Sequence, residues 1–207
     1  ASCLVGSEMC IRDRDRPNKK AERKCIMSAS CLDLLDHLHG SVSVVGSMNV
    51  DYTVVTERLP KPGETVNGGP LTLLPGGKSA NQASAAARIG AQVRMFGAVG
   101  KDANADFLLE HLRDAGVDTS HIAAVAGPSG TTVITVDANG ENTIVYSAGS
   151  NGEVSVDYAR QSSDALVAAD VLGLCLESPM ETVTACARLC HDAGLKVCLL
   201  YTSDAAD

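Results

Sequence analysis

The chain has 207 residues, 45% of them hydrophobic and 20% charged, with a formal net charge of −8. That length bounds it to one domain or most of one. The acidic balance excludes a nucleic-acid footprint, which needs a basic stripe, and no apolar run approaches the roughly 20 residues of a membrane span.

Both ends read as foreign. Residues 4–13 resemble one frame of a transposase sequencing adapter, and residues 198–207 resemble the partner adapter read outward. Segments 1–14 and 198–207 are therefore set aside as adapter-derived, as tags and fusion scars are. The natural protein is expected to continue past Val197, with residues 41–197 as the usable domain. Residues 15–40 form an uncertain tail: a charged stretch, a possible start at Met27, and leucines 32, 34, 35 and 38 in a short amphipathic turn before Gly40.

Residues 41–46 form an apolar strand ending in glycine. Extended pieces at 52–57 and 64–66 flank the turn Leu59-Pro60-Lys61-Pro62-Gly63. A helix then runs from Lys78, after the glycine pair, to about Ile89, where Gly90 caps it, and Ala80, Ala83 and Ala87 give it a small face for close packing on a sheet. After a strand at 93–99, a second helix buries Leu108, Leu112 and Ala115 and stops at Gly116. Strands at 131–136 and 142–146 surround Asn139-Gly140, a type I′ hairpin signal. A buried strand at 171–176 leads to Ser178, Pro179 and Glu181, which read as a capping box opening a third helix. Val183, Ala187 and Cys190 face its core side, Gly194 ends it, and Lys196-Val197 begin another strand. Alternating strands and helices of this kind give an α/β fold, a mostly parallel sheet sandwiched by helices, with the hairpin and proline-rich turn as an antiparallel flap.

The eight cysteines show no C-x-x-C spacing, and Cys186 and Cys190 read as core thiols rather than metal ligands. With no secretory signal visible, a reducing cytoplasm is the expected compartment.

The most informative stretch is Pro75-Gly76-Gly77-Lys78-Ser79-Ala80-Asn81-Gln82. Two glycines lead into a helix whose N–H groups and dipole favour an anion or a hydroxyl-rich ligand. A Walker P-loop is excluded because Thr72 stands where its first glycine is needed, and the first turn, Gly46-Ser47-Met48-Asn49, lacks the dinucleotide pattern. Ligands of open α/β sheets gather beyond the carboxyl ends of the strands. Asn49, Asp51, Lys78, Asn81 and Glu177 are expected to converge there. Asx turns at 49 and 51, a solvated Glu177 and a surface Lys78 are the plain alternatives. A lysine at a helix start is electrostatically misplaced, which favours a ligand role.

Five segments carry a resemblance: Gly46 to Asp51, Leu59 to Thr65, Gly76 to Ala83, Gly140-Glu141-Asn142 and Leu176-Glu177-Ser178-Pro179. In this order, over roughly residues 42–197, they resemble the N-terminal half of the ribokinase type within the phosphofructokinase-B-type sugar and nucleoside kinases. The resemblance implies a truncated ribokinase-like three-layer sandwich with a small β-lid, and an ATP-dependent kinase converting D-ribose to D-ribose 5-phosphate. A fructokinase, deoxyribokinase or nucleoside kinase is the alternative within the family, and a non-catalytic sugar-binding module the alternative outside it. By the same resemblance Asn49 and Asp51 bond sugar hydroxyls, and Gly77 admits the sugar to the backbone. Lys78 and Asn81 donate to its oxygens, and Glu177 contacts it from the neighbouring strand. Ser79 stands where a glycine is usual. ATP, Mg2+, a monovalent cation such as K+ and the catalytic base belong to the family's other half. No catalytic or metal-binding residue is therefore assigned here, and this chain is expected to be inactive. A homodimer through the lid is implied for the full-length parent.

Overall fold

The computed structural model describes residues 40–200; the adapter-like segment 1–14, the stretch 15–39 with its leucine turn, and residues 201–207 lie outside the described residues. The chain begins with β1 (Ser41–Val45), β2 (Asn49–Val55), β3 (Thr72–Gly76), α1 (Lys78–Arg88), β4 (Gln92–Val99), α2 (Ala103–Asp114) and β5 (Ile122–Ala124). It continues through β6 (Gly130–Val136), β7 (Asn142–Ser147), a 3-10 turn at Gly149–Glu153, α3 (Val156–Gln161) and α4 (Ser163–Val167). Last come β8 (Val171–Cys175), α5 (Met180–Asp192) and β9 (Lys196–Leu200).

One sheet has the order β5-β4-β1-β8-β9 with every pairing parallel. Because side chains alternate across a strand, neighbouring residues feed opposite layers. Val44 and Met95 join Ala80, Ala83, Leu108 and Leu112 under α1 and α2. Val45 and Phe96 join Leu166, Leu172, Leu174, Val183 and Cys186 under α3 to α5. The result is the expected three-layer sandwich. Leu108 and Leu112, one turn apart and fully buried, contribute about 1.5–3 kcal/mol each, which outweighs the weak helix propensity of Asn104 and Asp106 beside them. Cys186 and Cys190 are buried core thiols, and burial pushes Cys186 up to about 11.

The second sheet, β3-β2-β6-β7, is the lid. Its centre, β2 with β6, is parallel, and both outer pairs are antiparallel. Several local expectations are corrected here. The strand paired with β2 after the proline-rich turn is Thr72–Gly76, not 64–66. Glu64 is instead held in the turn itself, its carboxylate accepting from Arg58 and from the Lys61 N–H. Asn49 and Asp51 lie within β2 rather than in a loop after β1. The hairpin is not a two-residue type I′ turn. Gly140 N–H donates to Asp137 C=O around Ala138-Asn139, and Asp137 N–H donates to Glu141 C=O. The loop thus has three residues, with Gly140 in the left-handed region at φ 84°.

The capping box at Ser178 does not form. The N-cap of α5 is Pro179, whose carbonyl accepts from Thr182 and Val183, and the Ser178 hydroxyl is buried without a partner. Helices α3 and α4 and the short β5 went unread, being too brief to show a period. Residues 198–200 continue β9 alongside Gly173–Cys175.

Candidate functional site

Strand β1 ends at a glycine, and the chain turns through Gly46-Ser47-Met48 into the lid. Alternation along β2 puts Asn49 and Asp51 on one face, in cross-strand rows with Gly76 and Gly130 and with Leu74 and Thr132. Tyr146 on β7 extends the row of Asp51 and Thr132. The lid thus presents a polar row over the carboxyl ends of β1 and β8.

Glu177 stands just beyond β8 and draws three donors. Lys78 Nζ lies 2.7 Å from Oε1, the Lys78 N–H donates to Oε2 at 3.2 Å, and the Ser47 hydroxyl donates to Oε2 as well. Burial would raise this carboxyl, but the Lys78 and Ser47 hydrogen bonds and the Lys78 charge outweigh it and hold it below its ordinary range. The helix-start arrangement is therefore partly satisfied from within. Helix α1 has Gly77 as cap, with no side-chain cap and no acid in its first turn. Glu177 supplies the missing negative charge, and the Ser47 carbonyl takes the Ala80 N–H at 3.1 Å. The misplaced lysine is explained by the same carboxylate.

Asp51 behaves oppositely. Loss of water dominates and raises its carboxyl, the Thr132 hydroxyl donating to Oδ1 opposes this, and the negative Glu177 nearby adds to it. The two acids therefore feel one another. A Cβ at Gly76 would overlap the Asp51 carboxylate, so this glycine makes the space in which it sits. Gly77, at φ 94°, is required differently: a Cβ would come within 2.6 Å of the Ser47 carbonyl oxygen, which lets α1 start against the turn into the lid. Asn81 is exposed one turn into α1, its N–H bonded to Gly77 C=O at 2.9 Å.

Asn151, fully buried in the 3-10 turn, bonds the Met48 backbone and the Asn49 side chain. The Tyr146 hydroxyl lies 3.4 Å from the Glu177 carbonyl oxygen, bringing the lid down on β8. Beneath the site, Ser79 donates to Val45 C=O at 3.1 Å and its hydroxyl meets the Cys175 thiol at 2.9 Å. Ser47, Thr132, Tyr146 and Asn151 escaped the sequence reading. Each is an ordinary polar residue whose role exists only after the lid closes on the sheet.

The described residues thus form an α/β sandwich with a small second sheet over it and carboxylates and amides gathered at its strand ends. The description "pfkB family carbohydrate kinase" matches residues 40–207, and the chain belongs to that family. It is 37% identical over 159 residues to a ribokinase of Bacillus subtilis, covering 77% of this chain and 54% of the relative. To a deoxyribokinase of Salmonella typhi it is 33% identical, covering 76% and 52%. Among solved structures, Arabidopsis thaliana ribokinase complexed with ribose and ATP is similar at TM-score 0.69 and 31% identity, covering 78% of this chain and 53% of that one. The chain thus spans about half the length of the curated relatives it matches.

Proposed function

We propose that the rim formed by Asn49, Asp51, Gly77, Lys78, Asn81 and Glu177 grips a small free sugar, D-ribose foremost, for phosphorylation at its 5-hydroxyl in the full-length parent. The observation that carries this is the pairing of two unlike carboxylates under one lid. Asp51 has one oxygen on Thr132 and a desolvated environment that rewards a hydroxyl donor. Glu177 is kept ionised by Lys78 and Ser47. A sugar's adjacent hydroxyls offer the donors that Asp51 needs. Ribokinase and deoxyribokinase relatives both support a pentose. A 2-hydroxyl shared with its neighbour between the Asp51 oxygens favours ribose over 2-deoxyribose.

The start of α1 does not fit a phosphate of ATP. At the site, the start of α1 has its Lys78 N–H on Glu177 and its Ala80 N–H on Ser47, so a phosphate would have to displace a carboxylate. Nor do the described residues include a group of three or more His, Cys, Asp or Glu able to hold a metal ion. In the phosphoryl transfer proposed for the parent, this chain would supply alignment and exclusion of water. The 207-residue polypeptide is accordingly expected to bind ribose without phosphorylating it. Calorimetric titration with ribose, 2-deoxyribose, fructose and a nucleoside tests the reading. Ribose binding tightest supports it, and binding of none of these sugars overturns it. Formation of ribose phosphate from ATP by the purified chain would refute the expected inactivity.

A further inference from the structure

We infer that Asn151 is a positioning residue that fixes the Asn49 amide with its NH2 group toward the ligand, making position 49 a donor only. This rests on the sugar-binding reading above and goes beyond it by assigning the polarity of one contact.

A backbone N–H can only donate and a backbone C=O can only accept. The Met48 N–H lies 3.0 Å from one end of the Asn151 amide, which must therefore be Oδ1. The Met48 carbonyl lies 3.1 Å from the other end, which must be Nδ2. That NH2 group has a second proton; the Asn49 amide stands 2.7 Å away, much closer than the Tyr146 hydroxyl at 3.5 Å. Only an acceptor can face it, so Asn49 turns Oδ1 inward. The Asn49 Nδ2 is then the end directed away from Asn151, on the strand face that also carries Asp51.

Two further observations show that the pair is built for this contact. Asn151 is fully buried and Asn49 nearly so, and an orphaned amide there would be costly. Gly130 lies opposite Asn49 in the register, and a Cβ on it would overlap the Asn151 NH2 and come within 2.5 Å of Asn49 Oδ1. The lid therefore offers the ligand complementary polarity along one strand: Asp51 accepts, Asn49 donates. A ligand oxygen facing Asn49 has only to accept.

Fluorine tests this because it cannot donate. Dissociation constants are measured for ribose and for its deoxy and deoxyfluoro analogues at carbons 2, 3 and 5. They are compared in the wild-type chain, Asn49→Asp and Asn151→Asp. At the carbon facing Asn49, the wild type is expected to bind the fluoro analogue about 2- to 10-fold more tightly than the deoxy analogue. Asn49→Asp, which keeps its bond from Asn151 and presents a carboxylate oxygen, is expected to reverse that order at the same carbon. Asn151→Asp, in which Asn49 must turn its NH2 inward, is expected to reverse it too. A wild type that prefers the deoxy analogue at the carbon where Asn49→Asp changes the order overturns the inference. So does a folded Asn151→Asp that keeps the wild-type order. Should Asn151→Asp not fold, Asn151→Ala is used, and a fluoro-to-deoxy ratio unchanged from wild type overturns the inference. Failure of wild type to bind any sugar would instead defeat the sugar reading itself, so the two failures are distinct.

Discussion

At Asp51, burial outweighs the Thr132 hydrogen bond, so the folded chain keeps a proton on this group to higher pH than an ordinary aspartate at 3.8. Its contribution to stability therefore falls as pH rises from 3.8 through the folded value. Glu177 runs the other way: its stabilisation is present above its ordinary 4.5 and is lost as pH falls through the lowered folded value. On the proposed function, sugar hydroxyls would donate to an ionised Asp51. Ribose affinity is thus predicted to weaken on acidification beginning above pH 3.8, and Asp51→Asn to bind more weakly with no such acid limb. Titration calorimetry across pH 3.5–8 checks both, and an unchanged affinity down to pH 3.8 in the wild type contradicts the assignment. Glu177→Gln removes the carboxylate charge that Lys78 Nζ meets at 2.7 Å. Because that pair is partly exposed, at 35% and 22%, its full buried value is discounted, and a loss of about 1–2 kcal/mol in urea unfolding is predicted.

Among the elements, β2 decides the site, since one strand leaves the sheet turn, carries Asn49 and Asp51 on one face, and pairs with β3 and β6. Gly76 is predicted to be intolerant of alanine because the new Cβ overlaps the Asp51 carboxylate. Gly76→Ala should lose about 1–3 kcal/mol to overpacking together with ribose binding, read by urea unfolding and titration. Normal binding in that variant would mean the carboxylate is not held over Gly76. Much of this framework was legible in the residues: Gly90, Gly116 and Gly194 end their helices with positive φ as expected, and β1, β4 and β8 follow their apolar runs. The lid was less legible. Leu71, Leu73 and Leu74, with Thr72 between them and Pro75 beyond, show no clear alternation, and their strand exists only once β2 supplies a pairing edge. Ser178 and Glu181 have capping-box spacing, yet the chain leaving Glu177 begins the helix one residue later, after Pro179. Asn49 and Asp51 read as lying just past the first strand, whereas they stand within β2. Ser47 and Asn151 were unreadable because their partners lie 130 and 103 residues away.

For the whole molecule, the lid's far face carries a cross-strand row of Leu73, Tyr52, Val133 and Val145. Tyr52 reaches Asn104 on α2 at 2.9 Å, whereas Val133 and Val145 are 56% and 68% exposed. Apolar residues left open on a sheet mark interaction surfaces, and a lid-mediated homodimer of the full-length parent, implied only by the family resemblance, would bury Val133 and Val145. Val133→Lys is predicted to shift sedimentation toward monomer while leaving the thermal midpoint within a few degrees, and an unchanged dimer would reject that surface. On the proposed function, dispersed polar side chains would meet under the lid to hold one monosaccharide. A ribose titration of the 15N-labelled chain followed by amide chemical shifts tests it most directly. The account predicts saturable changes clustered at Ser47 to Asp51, Gly76 to Asn81, Asn151 and Glu177. Saturable changes confined to any other surface, or none at millimolar ribose, would contradict it.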